Sequence, residues 1–429
     1  MKDWENMRKA LVKSLPVIAI LIAGILALNT ICGGSASFVA IDVAVAVIIG
    51  MYISHKKSVE QYNAVKFQDA FDYMEQFSFA FLRRGQIEEA LSETRELFGD
   101  GKMRDTLENA LLYLERGYDM EGRRKALSYI EKEYPTALIV KLHDYMVRAE
   151  SYGGDVRRAV SILKKEQYAK KLSMWEFAKE LKVKRKNCIL SCIAGGIISA
   201  IMTFLAPDRE ALSGNNVYQA GLLFFCVMSC LVIALSYKKT VVDLLADKRM
   251  YSDEEIRDKL KRYISGKGFL SKIMLKKVIG QEMRFAFTEW ILSVTLLLET
   301  HNVEGAIEES LETSPYCMKP FLMEFVDKVH ENPGEVTPYV GFLEDFSFPE
   351  VRSSMRLLYS LSTGTIESVE DAITHLIEQN SNSLKSLENE KKDLRLAGLN
   401  MLFMLPVVIT SVKLITDMSV ILLYFISRI

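Results

Sequence analysis

The sequence predicts an all-α, multi-pass membrane protein with two duplicated cytoplasmic helical-bundle domains. Three observations predict it. Five apolar runs approach or exceed the length needed to cross a bilayer. Nearly all of the 54 Lys+Arg and 55 Asp+Glu fall in two long blocks between those runs, so the net charge of -1 hides a segregated chain. The two blocks also align with each other. A mean hydropathy of +0.10 is high for a chain with 25% charged residues. The aliphatic and aromatic content excludes disorder, and Gly 23, Pro 9 and Cys 6 exclude a collagen-like, turn-rich or disulfide-scaffold protein.

The first domain, 1–54, is a transmembrane hairpin: Leu15 to Cys32, a Gly33-Gly34-Ser35 turn, then Phe38 to Ile53. The basic start could belong to a signal peptide, but the apolar stretch is too long for one and a second span follows at once, so a retained anchor is expected. A second hairpin occupies 187–237, with runs Cys188 to Leu205 and Val217 to Tyr237. The C-terminal segment, 396–429, holds Leu396 to Ile426, where Pro406 is expected to kink the helix. Lys413 and Asp417 within it are four apart and share a helix face, where they can pair. The expectation is that they sit near the outer interface with Lys413 snorkelling; two short interfacial pieces are the competing reading.

Flanking basic residues orient the spans. Lys2, Arg8, Lys9 and Lys13 precede the first, His55-Lys56-Lys57 follow the second, Lys182 and Lys184-Arg185-Lys186 precede the third, and Lys238-Lys239 follow the fourth; Arg395 precedes the last. The turn after Cys32 is uncharged, and the loop 206–216 has only Asp208, Arg209 and Glu210. This pattern predicts that the N-terminus and both charged blocks lie on the cytoplasmic side of the cell membrane.

The charged blocks are the two remaining domains, 55–186 and 238–395. In the first, Phe71, Met74, Phe77 and Phe81 recur at helical steps, and so do Leu107, Leu111 and Leu114. Breaks fall at Arg84-Gly85, Gly99-Asp100-Gly101, Gly117 to Gly122, Tyr134-Pro135 and Gly153-Gly154, giving an antiparallel bundle of about six helices with Asp155 as an N-cap. The second block repeats the first. Phe71/Phe287, Leu82/Leu298, Glu88/Glu304, Ala90/Ala306 and Glu93/Glu309 are identical in one ungapped alignment. Val156/Val369, Ala159/Ala372 and Leu163/Leu376 are identical in a second, in the same order. The shared unit reads as helix–turn–helix. Ala90 and Ala306 allow close approach, Gly85 makes the turn, and Asn302 is expected to take a left-handed turn in its place.

An apolar helix, a glycine turn and a helix carrying Ala-Leu (Phe79 to Leu91) form one local pattern. A glycine turn leading into an amphipathic helix is another, at Tyr152-Gly153-Gly154 to Leu163 and Ser362-Thr363-Gly364 to Leu376; Pro406 lies just inside the last span. With the duplicated lobe, the hairpin between lobes and the final span, this arrangement resembles the type II secretion system F family, which includes the inner-membrane platforms of type IV and tight-adherence pili. The resemblance covers about residues 60–429. The family's Gly-Glu pair in the second turn is replaced by Gly153-Gly154 and Gly364-Thr365, and many members lack the first hairpin. The resemblance implies a non-enzymatic, homo-oligomeric platform. Its implied partners are a cytoplasmic secretion or pilus ATPase, pilin-like subunits, other inner-membrane assembly proteins and the lipid bilayer.

The search for chemistry finds no catalytic, cofactor or metal site. There is no phosphate-binding glycine loop, and His55, His143, His301, His330 and His375 are scattered. Cys188/Cys192 and Cys226/Cys230 are helical pairs on facing spans, where apolar packing beside Ala194-Gly195-Gly196 and Ala200 is expected rather than a thiolate site or disulfides. Asp42 is the one acid in the middle of span two, where a helix-association role is expected. The blocks differ in charge: 55–186 carries 26 basic and 22 acidic residues, and 237–396 carries 21 and 27. Unlike lobes would attract each other or present different surfaces to partners, or the charges are simply solvated or lipid-facing. No nucleic-acid-binding module is present. The competing functions are a transporter, which needs several intramembrane charges, and a membrane signalling scaffold.

Overall fold

A computed structural model describes residues 2–114, 120–152, 156–206, 208–245, 253–264, 269–298, 301–346, 348–365 and 369–426. Among these, every regular element is a helix. In chain order they are α1 (Lys2–Cys32), α2 (Ala36–Arg84), α3 (Ile87–Leu97), α4 (Lys102–Leu114), α5 (Met120–Glu133), α6 (Ala137–Tyr152), α7 (Val156–Leu205) and α8 (Arg209–Ser213). Then follow α9 (Asn216–Thr240), α10 (Asp253–Ile264), α11 (Phe269–Leu297), α12 (Val303–Thr313), α13 (Lys319–Glu331), α14 (Thr337–Gly341), a short 3-10 turn (Glu344–Phe346), α15 (Pro349–Ser362) and α16 (Val369–Ile426). Five of them, α1, α2, α7, α9 and α16, contain stretches long and apolar enough to cross a membrane.

The helix ends follow local chemistry. Gly85 stops α2 with φ +72, its N–H bonding back to Phe81 O at 2.8 Å. Asn215 caps α9 by accepting from Val217 N at 2.8 Å. Pro349 opens α15, where a missing N–H costs nothing, and Gly364 closes it with φ +65. The turn at Asn302 differs from expectation. Asn302 is not left-handed (φ -69); it caps α12, its side chain accepting from Gly305 N at 2.9 Å. A cap satisfies an orphan donor, which a left-handed turn residue does not. The breaks at Gly99 to Gly101 and at Pro135 fall between helices as the sequence predicts. Gly153-Gly154, Asp155 and the core of the Gly117 to Gly122 break lie outside the described residues.

The chain divides into two units. Unit 1 is Met1–Val65, Trp175–Leu244 and Lys392–Ile429; unit 2 is Lys66–Met174 and Leu245–Lys391. Three helices, α2, α7 and α16, contribute residues to both. In this division 55–65, 175–186, 238–244 and 392–395 group with the apolar segments, and the rest of the two charged blocks falls in one unit.

Within unit 2 some helices of the two blocks have equal lengths, while others differ: α5 has 14 residues and α14 has 5. Helices α3 and α12 are both 11 residues long, and they begin at the aligned positions Ile87 and Val303. Their buried positions correspond: Ile87/Val303, Ala90/Ala306, Leu91/Ile307 and Thr94/Ser310. Helices α4 and α13 are both 13 residues, burying Met103, Thr106, Ala110 and Leu322, Phe325, Val329 at the same spacing. On α6, Ile139, Leu142, His143 and Met146 are buried where α15 buries Val351, Ser354, Met355 and Leu358. The core of the second block gathers around Trp290, whose indole N–H donates to Ser310 Oγ at 2.8 Å between the rings of Phe287 and Phe342. Basic side chains of the first block meet acids of the second. Arg148 pairs with Glu309 at 2.6 Å, and Arg158 with Glu370 at 3.4 Å. Glu309 thus faces across the unit, whereas its counterpart Glu93 pairs inside its own block with Arg84 at 3.0 Å.

Candidate functional site

Unit 1 buries a set of polar side chains among its apolar helices, and these are its candidate functional residues. The α1–α2 turn is clasped by Gln219 of α9. Its amide donates to Gly33 O at 2.8 Å and accepts from Ser35 N at 3.0 Å. Gly33 has φ +70, and a methyl group on Gly50 would meet Ile18 Cγ1 at 2.6 Å, so α1 and α2 cross closely. Further along α2 from the clasp, Asp42 is 1% exposed and accepts from Asn29 at 3.3 Å beside Cys226. Asp42 therefore joins α1, α2 and α9.

Lys413 and Asp417 form a second buried polar centre. They pair directly on α16, both 1% exposed. The expectation that Lys413 snorkels is corrected: its ammonium sits 3.9 Å over the Tyr218 ring instead of reaching outward. Tyr218 in turn donates to Cys32 O at 3.0 Å and bonds Thr203 Oγ1 at 2.8 Å, which ties α1, α7, α9 and α16 together. Helix α16 runs unbroken from Val369 to Ile426, so the reading as two short pieces does not hold. Thr410 Oγ1 donates to the Pro406 carbonyl at 2.8 Å.

Arg185 is a site that flank counting did not single out. It reads in the sequence as one of four basic residues before a span. In the structure it is 8% exposed and grips both oxygens of Glu60 at 3.0 and 2.9 Å. It also donates to Thr240 at 3.1 Å and stacks on Tyr237 at 4.4 Å. This fork joins α2, α7 and α9. The only sequence signal is that an arginine stands among lysines.

In unit 2 the buried titratable centre is His143. Glu131 only accepts, so His143 Nδ1–H donates to it at 2.8 Å, while Tyr73 O–H donates to Nε2 at 2.7 Å. Arg124 pairs with Glu131 at 2.9 Å and with Asp144 at 3.0 Å. Burial holds His143 below its usual value against the pull of Glu131. Burial raises the Glu131 carboxyl, but hydrogen bonding from His143 and the charges of His143 and Arg124 outweigh it, leaving it below the usual range. The unfolded chain takes up the His143 proton first, so this centre stabilises unit 2 fully above pH ~6.5 and loses that contribution as pH falls. The stability gap between the native protein and a His143→Gln variant, read by thermal unfolding, is expected to narrow from pH 7.5 to 5.5. A gap independent of pH would contradict the neutral, twice-bonded imidazole.

Tyr73 is fully buried, so the Tyr73–His143–Glu131 chain offers no substrate access; it clamps α2, α5 and α6. Among the described residues no three His, Cys, Asp or Glu stand close enough to hold a metal. Cys32, Cys188, Cys192, Cys226, Cys230 and Cys317 are buried. Cys188, Cys226 and Phe225 share one apolar cluster, in keeping with packing between the helices. The arrangement is that of a helical protein with five helices long and apolar enough to cross a membrane, in which buried polar side chains hold helices together. No family model, curated protein or solved structure matches the chain.

Proposed function

We propose that the chain is an inner-membrane platform protein of a type IV or tight-adherence pilus, or of a type II secretion machine. In this reading it couples a cytoplasmic ATPase to the assembly of pilin-like subunits, without catalysing a reaction itself. The observation that carries the proposal is the repeat. Two helical lobes with matching elements each lead into a long helix, α7 or α16, that continues into an apolar stretch. Duplication of one lobe accounts for helices of equal length starting at the aligned positions Ile87 and Val303. The basic flanks of the apolar runs support a cytoplasmic position for both lobes. The lobes take up displacement from the ATPase, and the long helices pass it to the spans of a homo-oligomer in the membrane.

Two experiments test this. The native protein should co-purify from membranes with a hexameric secretion ATPase and with pilin-like chains; consistent failure to recover either would count against a platform. A flexible Gly-Ser insert beside Lys182, within α7, should abolish pilus or pseudopilus assembly while membrane insertion stays normal. Unchanged assembly would rule out transmission through that helix. The burial of Asp42, Lys413 and Asp417 favours a second reading, a transporter, because charges inside a membrane mark ion pathways. That reading requires ion-driven flux in proteoliposomes containing this chain alone.

A further inference from the structure

The second block departs from the first between α13 and α15. Where the first block has α5, of 14 residues, the second has α14 and the 3-10 turn, of 5 and 3. Between these two short pieces Leu343 takes φ +52, the one positive φ on a residue other than glycine among the described residues. The departure shapes a pocket of about 560 Å³ against α13. Its floor is aromatic. Phe325, Phe342 and Phe346 line it and are buried, and the Phe325 and Phe342 rings lie 5.3 Å apart. Its rim is acidic. Glu331, Glu335, Glu344 and Asp345 are exposed there, and Lys328, the one basic residue of the lining, is paired with Glu324 at 2.7 Å.

An apolar floor inside a negative rim fits an aromatic side chain flanked by positive charge. The first block of the same chain presents one. Arg157, Ser161, Lys165, Tyr168 and Leu172 follow one face of α7 at three- and four-residue steps, and all are exposed. A solvent-facing helix surface is ordinarily polar. Here Tyr168, 70% exposed, is the most exposed large apolar side chain of unit 2 among the described residues, and Leu172 lies one turn on. Lys165 stands one turn before Tyr168; the neighbouring Lys164 and Lys171 are held by Glu75 and Asp72 of α2 at 3.8 and 3.5 Å. The basic excess of 55–186 and the acidic excess of 237–396 act in the same direction. We propose that pocket and face are the two halves of a contact between copies of this chain. The Tyr168 face of one copy enters the Phe342 and Phe346 pocket of the next, with Lys165 meeting the acidic rim. The halves differ, so each copy takes one neighbour in its pocket and offers its face to another, which builds a ring where the rotation closes. The proposal does not rest on the platform reading, since a platform joined through its spans alone would lack this contact.

Two differently tagged full-length copies, co-expressed in membranes, test this. The photo-crosslinking residue p-benzoylphenylalanine is placed at Tyr168 of one copy only. Illumination should join it to peptides from 321–346 of the other copy, identified by mass spectrometry. Lys165→Glu on the copy that carries the crosslinker, or Glu331→Lys/Glu335→Lys on the other, should each lower that yield roughly tenfold or more, because like charges then face each other. All three positions are exposed, so the reversals leave the fold intact. Combining the two reversed copies should restore the yield. Crosslinks confined to one chain, crosslinks to a different protein or to lipid, or no crosslink overturn the proposal. A yield that neither reversal lowers, or that the combination does not restore, overturns it as well. Copies that still co-purify without the crosslink leave a span-joined platform standing and exclude this contact.

Discussion

Asp417→Ala is expected to cost unit 1 about 3–5 kcal/mol, because it strands the Lys413 ammonium inside the helix bundle. Lys413 is 1% exposed, and its ammonium also lies over the face of Tyr218. The ring attracts the cation but does not replace a carboxylate. The double variant Lys413→Met/Asp417→Leu removes both charges and should recover most of the loss, since an apolar pair of similar volume is often neutral or better. Thermal unfolding of the purified protein in detergent, read as the fraction left monodisperse, measures both. A single variant as stable as the parent would mean that the pair is open to water.

Trp290→Ala is expected to destabilise the second lobe by about 3–5 kcal/mol through the cavity it leaves. The loss also removes the hydrogen bond that Ser310 Oγ accepts, leaving only its donation to Ile307 O, and the ring contacts to Phe287 and Phe342, whose centroids lie 5.7 and 5.8 Å away. Trp290→Phe keeps most of the volume and should lose distinctly less. The position that aligns with it in the first lobe is Met74, also fully buried. Met74→Ala should cost about 2–5 kcal/mol. Hydrogen exchange followed by mass spectrometry separates the two: protection should fall first in α11–α13 for Trp290 variants and in α3–α6 for Met74 variants. Equal loss everywhere would mean that the two lobes unfold as one cooperative body.

The helices and their faces were legible because periodicity and punctuation are local. Apolar runs with few or no charges found the five long apolar helices, and Gly85 and Pro135 found their turns. Ala90 and Ala306 were legible as close-approach positions because they are small residues on the apolar face of a helix, and both are fully buried. What remained hidden depended on partners distant in sequence. Nothing near Arg185 indicates that Glu60, far earlier in the chain, holds it. Lys413 reads as a snorkelling residue because its own helix says nothing of Tyr218 on α9. Asn302 suited both a left-handed turn and a cap, and the position of Gly305 N decided between them. The sequence also treated the two charged blocks as separate domains; Arg148 and Glu309 meet across them at a distance no helical pattern encodes.

The account depends most on both lobes facing the cytoplasm. Protease cleavage sites placed in three exposed turns, Gly99 to Gly101, Asn332 to Glu335 and Gly214 in the 208–216 segment, test it in intact cells and in opened membranes. The account predicts that in intact cells only the 208–216 site is cut, and that both lobe sites are cut once the cytoplasmic face is exposed. Cleavage of either lobe site in intact cells would contradict it.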